Sequence, residues 1–144
     1  MKRGLNEAVA RHIILAQIAS DGGKRIDDLW KAVRGYMPGA RKAMFCGYDD
    51  KDRRIIKALD LISAAHGRSG FSYYITKDPG LYRMTLVYFN FKVHGQRYQI
   101  SFHTYLDLSK YTRSGKNASH KTKWDEKSSR EAALYLAHEM FEAE

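Results

Sequence analysis

The stretch from Thr85 to Thr104 constrains this chain more than any other, because its residue types change at every second position around a turn-forming dipeptide. His94 and Gly95 stand between Val93 and Gln96, where a two-residue hairpin turn would need them. Pairing Val93 with Gln96 sets Phe91 opposite Tyr98, Phe89 opposite Ile100, Val87 opposite Phe102 and Thr85 opposite Thr104. Every pair on that face is apolar or threonine. The other face pairs Lys92 with Arg97, Asn90 with Gln99, Tyr88 with Ser101 and Leu86 with His103. A slip of one residue would mix the two sets, so turn and alternation select the same register. The incoming strand reads as "LYRMTLVYFNFKV", and a shorter strand, "FSYYIT", precedes it through the turn "KDPG".

Upstream the period is helical. Leu5, Val9, Ile13 and Ala16 mark a first helix ended by "SDGG", and Ile26, Leu29, Trp30, Val33 and Met37 mark a second, stopped by Pro38 and Gly39. A third helix follows Asp49 or Asp50, with Ile55, Ile56, Leu59 and Ile62 inward and Arg53, Lys57 and, nearer the edge, Arg54 outward. Near the end of the chain, Ser128 and Glu131 form a capping box for a last helix whose apolar stripe is Ala133, Leu136, Ala137, Met140 and Phe141. The expected architecture is therefore α+β: a three-helix N-terminal half, then an antiparallel hairpin or small sheet covered by a C-terminal helix. Residues 1–80 would form the helical half and 81–144 the remainder, in one compact unit, as suits a chain of 144 residues.

Charge narrows the function. With 25 Lys and Arg against 16 Asp and Glu, the formal charge is +9, which favours nucleic acid or another acidic surface as partner. The excess is concentrated in "KYTRSGKNASHKTKW", which has no periodicity, no carboxylate and five cations: Lys110, Arg113, Lys116, Lys121 and Lys123. Such a run reads either as a solvated loop or as an arm for a polyanion. The outward hairpin residues Lys92 and Arg97, with Asn90, Gln99, Tyr88 and Ser101, favour the arm, since cations, amides and an aromatic can follow a phosphate backbone or stack a base.

The runs "EAVARHIILAQIAS", "RIDDLWKAVRGYM" and "DKDRRIIKALDLISAAHG", followed by "FSYYITKDPGLYRM", resemble a winged helix-turn-helix DNA-binding domain over roughly the first half of the chain. The resemblance implies that Arg53, Arg54 and Lys57 face the major groove and that Lys77 sits at the tip of the wing. In size, basic charge and lack of catalytic motifs the chain is also similar to small phage-encoded inhibitors such as anti-CRISPR proteins. That likeness implies an interaction protein that binds a nucleic-acid-handling complex.

Signals for catalysis are few. His103, Asn117 and His120 lack the spacing of a His-Asn-His nuclease, and "GFSYYITKDPGLY" lacks the second half of the GIY-YIG signature. Asp49, Asp50 and Asp52 precede an apolar helical run, where capping is their expected role. His12, His66, His94, His120 and His138 show no metal-ligand spacing, and no glycine loop for phosphate is present. Cys46, the only cysteine, reads as a packing residue and excludes an internal disulfide, which fits a reducing, cytoplasmic setting. Glu7, Arg11, His12 and Gln17 break the apolar run that a signal peptide would need after Lys2 and Arg3. The expectation is a non-enzymatic nucleic-acid-binding protein without cofactor or metal, acting away from membranes.

Overall fold

A computed structural model describes residues 5–20, 29, 31, 48–65, 70–77, 84–111 and 128–139. They form α1 (Leu5–Ser20), α2 (Tyr48–Ala65), β1 (Phe71–Lys77), β2 (Thr85–Val93), β3 (Gln96–Thr104), a 3-10 turn (Ser109–Tyr111) and α3 (Ser129–Ala137). Helices and one antiparallel sheet of order β1-β2-β3 make this an α+β arrangement. The helix expected over Ile26–Met37 falls almost wholly outside the described residues. Of it, Leu29 is buried and Lys31 exposed, both helical.

The hairpin register is the one the alternation predicts, from Val93 opposite Gln96 to Thr85 opposite Thr104. At its turn His94 has φ 50° and Gly95 φ 80°, the left-handed pair that a two-residue turn requires to match the twist of its strands. β1 adds to β2 over its full length, from Phe71 opposite Phe91 to Lys77 opposite Thr85. The segment that resembles a wing is thus continuous with β3 in one sheet. On the inner face a chain of rings crosses all three strands and reaches α3. Phe71 meets Phe91 at 5.9 Å, Phe91 stacks on Tyr98 at 5.4 Å, and Tyr98 stacks on Tyr135 at 4.4 Å.

α3 begins as its capping residues predict, with Ser128 Oγ accepting from the Glu131 amide at 3.1 Å. It then runs beside β3. The Ser101 amide donates to Ser129 Oγ at 3.1 Å, and that hydroxyl lies 3.2 Å from the Ser101 carbonyl, to which it donates. One side chain thus occupies both outward backbone groups of an edge-strand residue, and a helix covers the edge there. His94 at the hairpin tip meets Glu139 at 2.9 Å, tying the turn to the chain just past the end of α3.

α1 departs from the single stripe expected of it. Between Val9 and Ala19 every residue except Arg11 and His12 is buried, while Leu5 is 36% exposed. A helix apolar nearly all round must be enclosed. α1 packs against both α2 and α3, and all three contribute to one core with the inner face of the sheet. In α2, Ile55, Ala58, Leu59 and Ile62 enter that core, whereas Ile56, expected inward, is only half-buried. α2 starts at Tyr48, so Asp50 lies inside its first turn rather than ahead of it, where a carboxylate still favours the positive end of the helix.

The threonines of the inner face have a specific role at the end of β3. Thr104 Oγ1 donates to Asp52 of α2 at 2.9 Å and accepts from the Leu106 amide at 3.1 Å. Beside it the buried Lys51 donates its amine to the His103 carbonyl at 2.7 Å. Burial lowers the Lys51 pKa, and neighbouring Asp52 partly restores it. These polar contacts dock the first turns of α2 onto the end of the sheet.

Candidate nucleic-acid interface

Strand alternation and the two registers lay out the outer face of the sheet in four rows. Thr76, Leu86 and His103 form the first, Tyr74, Tyr88 and Ser101 the second, Ser72, Asn90 and Gln99 the third, and Lys92 with Arg97 the last, beside the hairpin turn. No carboxylate occurs in these rows. In the second row the Tyr74 and Tyr88 rings lie 5.8 Å apart at 31°, both half-buried. In the third, Gln99 Nε2 donates to Asn90 Oδ1 at 2.8 Å. Asn90 is 1% exposed, and its Nδ2 has no hydrogen-bond partner. Lys92 is exposed and Arg97 half-buried.

The expected cations fall into separate groups. Lys92 and Arg97 stand at the turn end of the sheet, whereas the chain continues to Lys110 from Thr104, at the other end of β3. Lys110 is exposed, its Nζ 5.0 Å from the centre of the Tyr111 ring. Tyr111 is firmly held. Its hydroxyl donates to Asp60 of α2, and its carbonyl accepts from the Tyr73 hydroxyl at 2.7 Å, which also meets Ser63 at 3.1 Å. Burial and the Asp60 carboxylate push the Tyr111 phenol well above its ordinary pKa. Before it, Asp107 accepts from the Ser109 amide at 3.1 Å, and the Ser109 contacts hold its carboxyl below the usual range. Tyr111, the last described residue before 128, is therefore fixed in place. Arg113, Lys116, Lys121 and Lys123 lie outside the described residues.

On α2 the three cations differ. Arg53 is exposed and paired with Asp50 one turn back, and Lys57 is exposed. Arg54 turns toward α1, where Nη1 donates to His12 Nδ1 at 3.2 Å. An acceptor at Nδ1 requires a neutral imidazole there, and burial together with Arg54, Lys57 and Arg11 lowers the His12 pKa to about 4. Arg53 and Lys57 border an open groove of about 750 Å³ with Ile56 and Leu106 as apolar lining and Asp52 and Asp60 also on its wall. The face that the winged-helix resemblance turns toward DNA thus carries both signs of charge. Tyr105, next to Leu106, is 71% exposed.

Sequence reasoning missed Tyr74 as the neighbour of Tyr88, because the contact arises only from the pairing of β1 with β2. It also missed Tyr111 and Asp60, which join positions 51 residues apart. The signal was present in the alternation of "FSYYITK", which places Tyr74 on the same face as Ser72 and Thr76. Among the described residues no group of three or more His, Cys, Asp or Glu side chains is arranged to hold a metal ion, and no helix is long and apolar enough to cross a membrane. Compared with known protein families, with curated proteins and with solved structures, the chain matches none.

Proposed function

We propose that this chain is a small, basic, non-enzymatic nucleic-acid-binding protein that contacts the phosphate backbone. The observation that carries the reading is an outer sheet face with cations at one end and no carboxylate, in a chain of net charge +9. The basic stretch that begins at Lys110 supplies further phosphate contacts, next to Tyr111, which Asp60 and Tyr73 hold. Such contacts fix position without reading sequence.

The test is the salt dependence of binding to a labelled oligonucleotide, as duplex and as single strand. Replacing Lys110, Arg113, Lys116, Lys121 and Lys123 with Ser or Gln should flatten the logarithmic salt slope by about 4 to 5 on duplex, or about 3 to 4 on single strand, because each neutralised phosphate releases condensed counterion. Lys92→Gln with Arg97→Gln should flatten it further, by about 1 to 2. Affinity and slope unchanged in both variants would overturn the reading.

A second reading, an interaction protein that grips a nucleic-acid-handling complex, is favoured by the mixed-charge groove along α2 and the exposed Tyr105, which precedes Leu106 of its lining. It requires retention by such a complex after nuclease treatment, with no binding to the nucleic acid alone.

A further inference from the structure

We propose that the outer face of the sheet takes single-stranded nucleic acid, with Tyr74 and Tyr88 as the surface on which bases stack and Gln99 as the group that meets a base edge. The inference rests on the nucleic-acid reading above and adds the class of strand and the residues that select it.

Three observations converge on this one face. The first is the tyrosine pair, 5.8 Å apart on adjacent strands in the middle of the sheet. Stacking on such rings needs bases that are unstacked from their neighbours, as in a single strand and not in a duplex. The second is the amide row beside it. Asn90 is almost wholly buried, and its Oδ1 takes one N–H of Gln99 at 2.8 Å, which fixes the orientation of the Gln99 amide. Gln99 keeps its Oε1 and its second N–H, an acceptor and a donor on one planar group, which is what the hydrogen-bonding edge of a base complements. Asn90 is thus a positioning residue and Gln99 the contact.

The third observation is charge. Lys92 and Arg97 close the amide row on the side of the turn, and the rows themselves contain no carboxylate, the Glu139 carboxylate meeting His94 at the turn. A phosphate bridging successive nucleotides meets a cation there, while the stacked base meets the rings. Along β2, Tyr88, Asn90 and Lys92 are successive outward positions, so a stacking ring, the residue that orients Gln99 of β3 and a cation for phosphate follow one another in order. The α2 groove, by contrast, sets Asp52 and Asp60 beside its cations and offers a polyanion no such track.

The test uses the full chain and labelled oligomers of about a dozen nucleotides, in single-stranded DNA, single-stranded RNA of the same sequence and duplex DNA, at about 50 mM salt. The single strands should bind tighter than the duplex. Tyr88→Leu and Tyr74→Leu should each weaken single-strand binding by about 5- to 100-fold and leave duplex binding within about twofold, since one stacked base is lost. Tyr88→Phe, which keeps the ring, should bind as the parent does, and circular dichroism checks that each variant is folded. Gln99→Ala should reduce discrimination among homopolymers of different base. DNA and RNA arms that differ would assign the strand to one sugar, and equal arms would assign it to the shared bases and phosphates. If both leucine variants fold and bind single strands as the parent does, while Lys92→Gln with Arg97→Gln weakens every nucleic acid, the stacking surface is refuted and the nucleic-acid reading stands. If the parent retains no strand of any kind, both are refuted.

Discussion

Protonation of His12 should destabilise the protein in mild acid. Its imidazole lies between α1 and α2, with Nδ1 accepting from Arg54 and with Arg11 and Lys57 contributing further positive potential. Burial is the largest cause and the three cations follow, and together they lower its pKa from 6.5 to about 4. The unfolded chain therefore binds this proton more readily than the folded one. The contribution is fully present above the unfolded value of 6.5 and is lost as pH falls toward about 4, with no further loss below it. Such a displacement is worth roughly 3 kcal/mol, which we reduce to about 2 kcal/mol because the ring keeps some contact with solvent. His12→Gln preserves an acceptor for Arg54 and cannot be protonated. Urea midpoints for parent and variant at about pH 7.5 and about pH 4.5 should show the parent losing about 1 to 2 kcal/mol more than the variant over that interval. Parallel losses would refute the placement of His12 against Arg54.

Two further perturbations probe the frame. Ile100→Asp places a carboxylate among Phe89, Phe102 and the core and should cost at least about 4 kcal/mol, whereas Gln99→Asp on the opposite face, which removes only the bond to Asn90, should cost about 1 to 3 kcal/mol. Equal thermal stability of the two would refute the register. Tyr111→Phe keeps the ring and removes the bond to Asp60, an exposed residue, so the urea midpoint should fall by an amount equivalent to about 1 kcal/mol. An unchanged midpoint would show that the root of the basic loop is held by packing alone.

The parts of this fold that the sequence discloses are those with a local signal. His94 and Gly95 mark the turn within two residues, and the apolar pairs on either side agree with it, so the β2–β3 register can be read directly. Ser128 and Glu131 likewise announce α3 at a spacing of three. β1 is harder, because seven residues, 78 to 84, separate it from β2 and no two-residue turn fixes its register. Tyr74 therefore could not be placed against Tyr88, and half of the tyrosine pair stayed hidden. The role of α1 was hidden for another reason. A single stripe of Val9, Ile13 and Ala16 satisfies the helical period, and the additional burial of Ile14, Leu15 and Ile18 follows only from packing on two sides. The polar docking of α2 is equally silent in sequence, since Lys51 and Asp52 meet partners 52 residues away. Arg54 looked like a surface cation because nothing in its neighbourhood along the chain points to His12, 42 residues earlier.

The enclosure of α1 also has a consequence for how this protein is made. The enclosed helix leaves the ribosome before α3, a described neighbour that begins only at Ser129. A nascent chain must therefore carry an almost wholly apolar helix, without that flank, until the residues from 21 to 137 have followed it. Contacts that join positions so far apart along the chain form late and slow the approach to the native state. During that interval Ile13, Ile14, Leu15 and Ile18 have no native enclosure, and a chain halted before residue 129 would be prone to stick to others like itself.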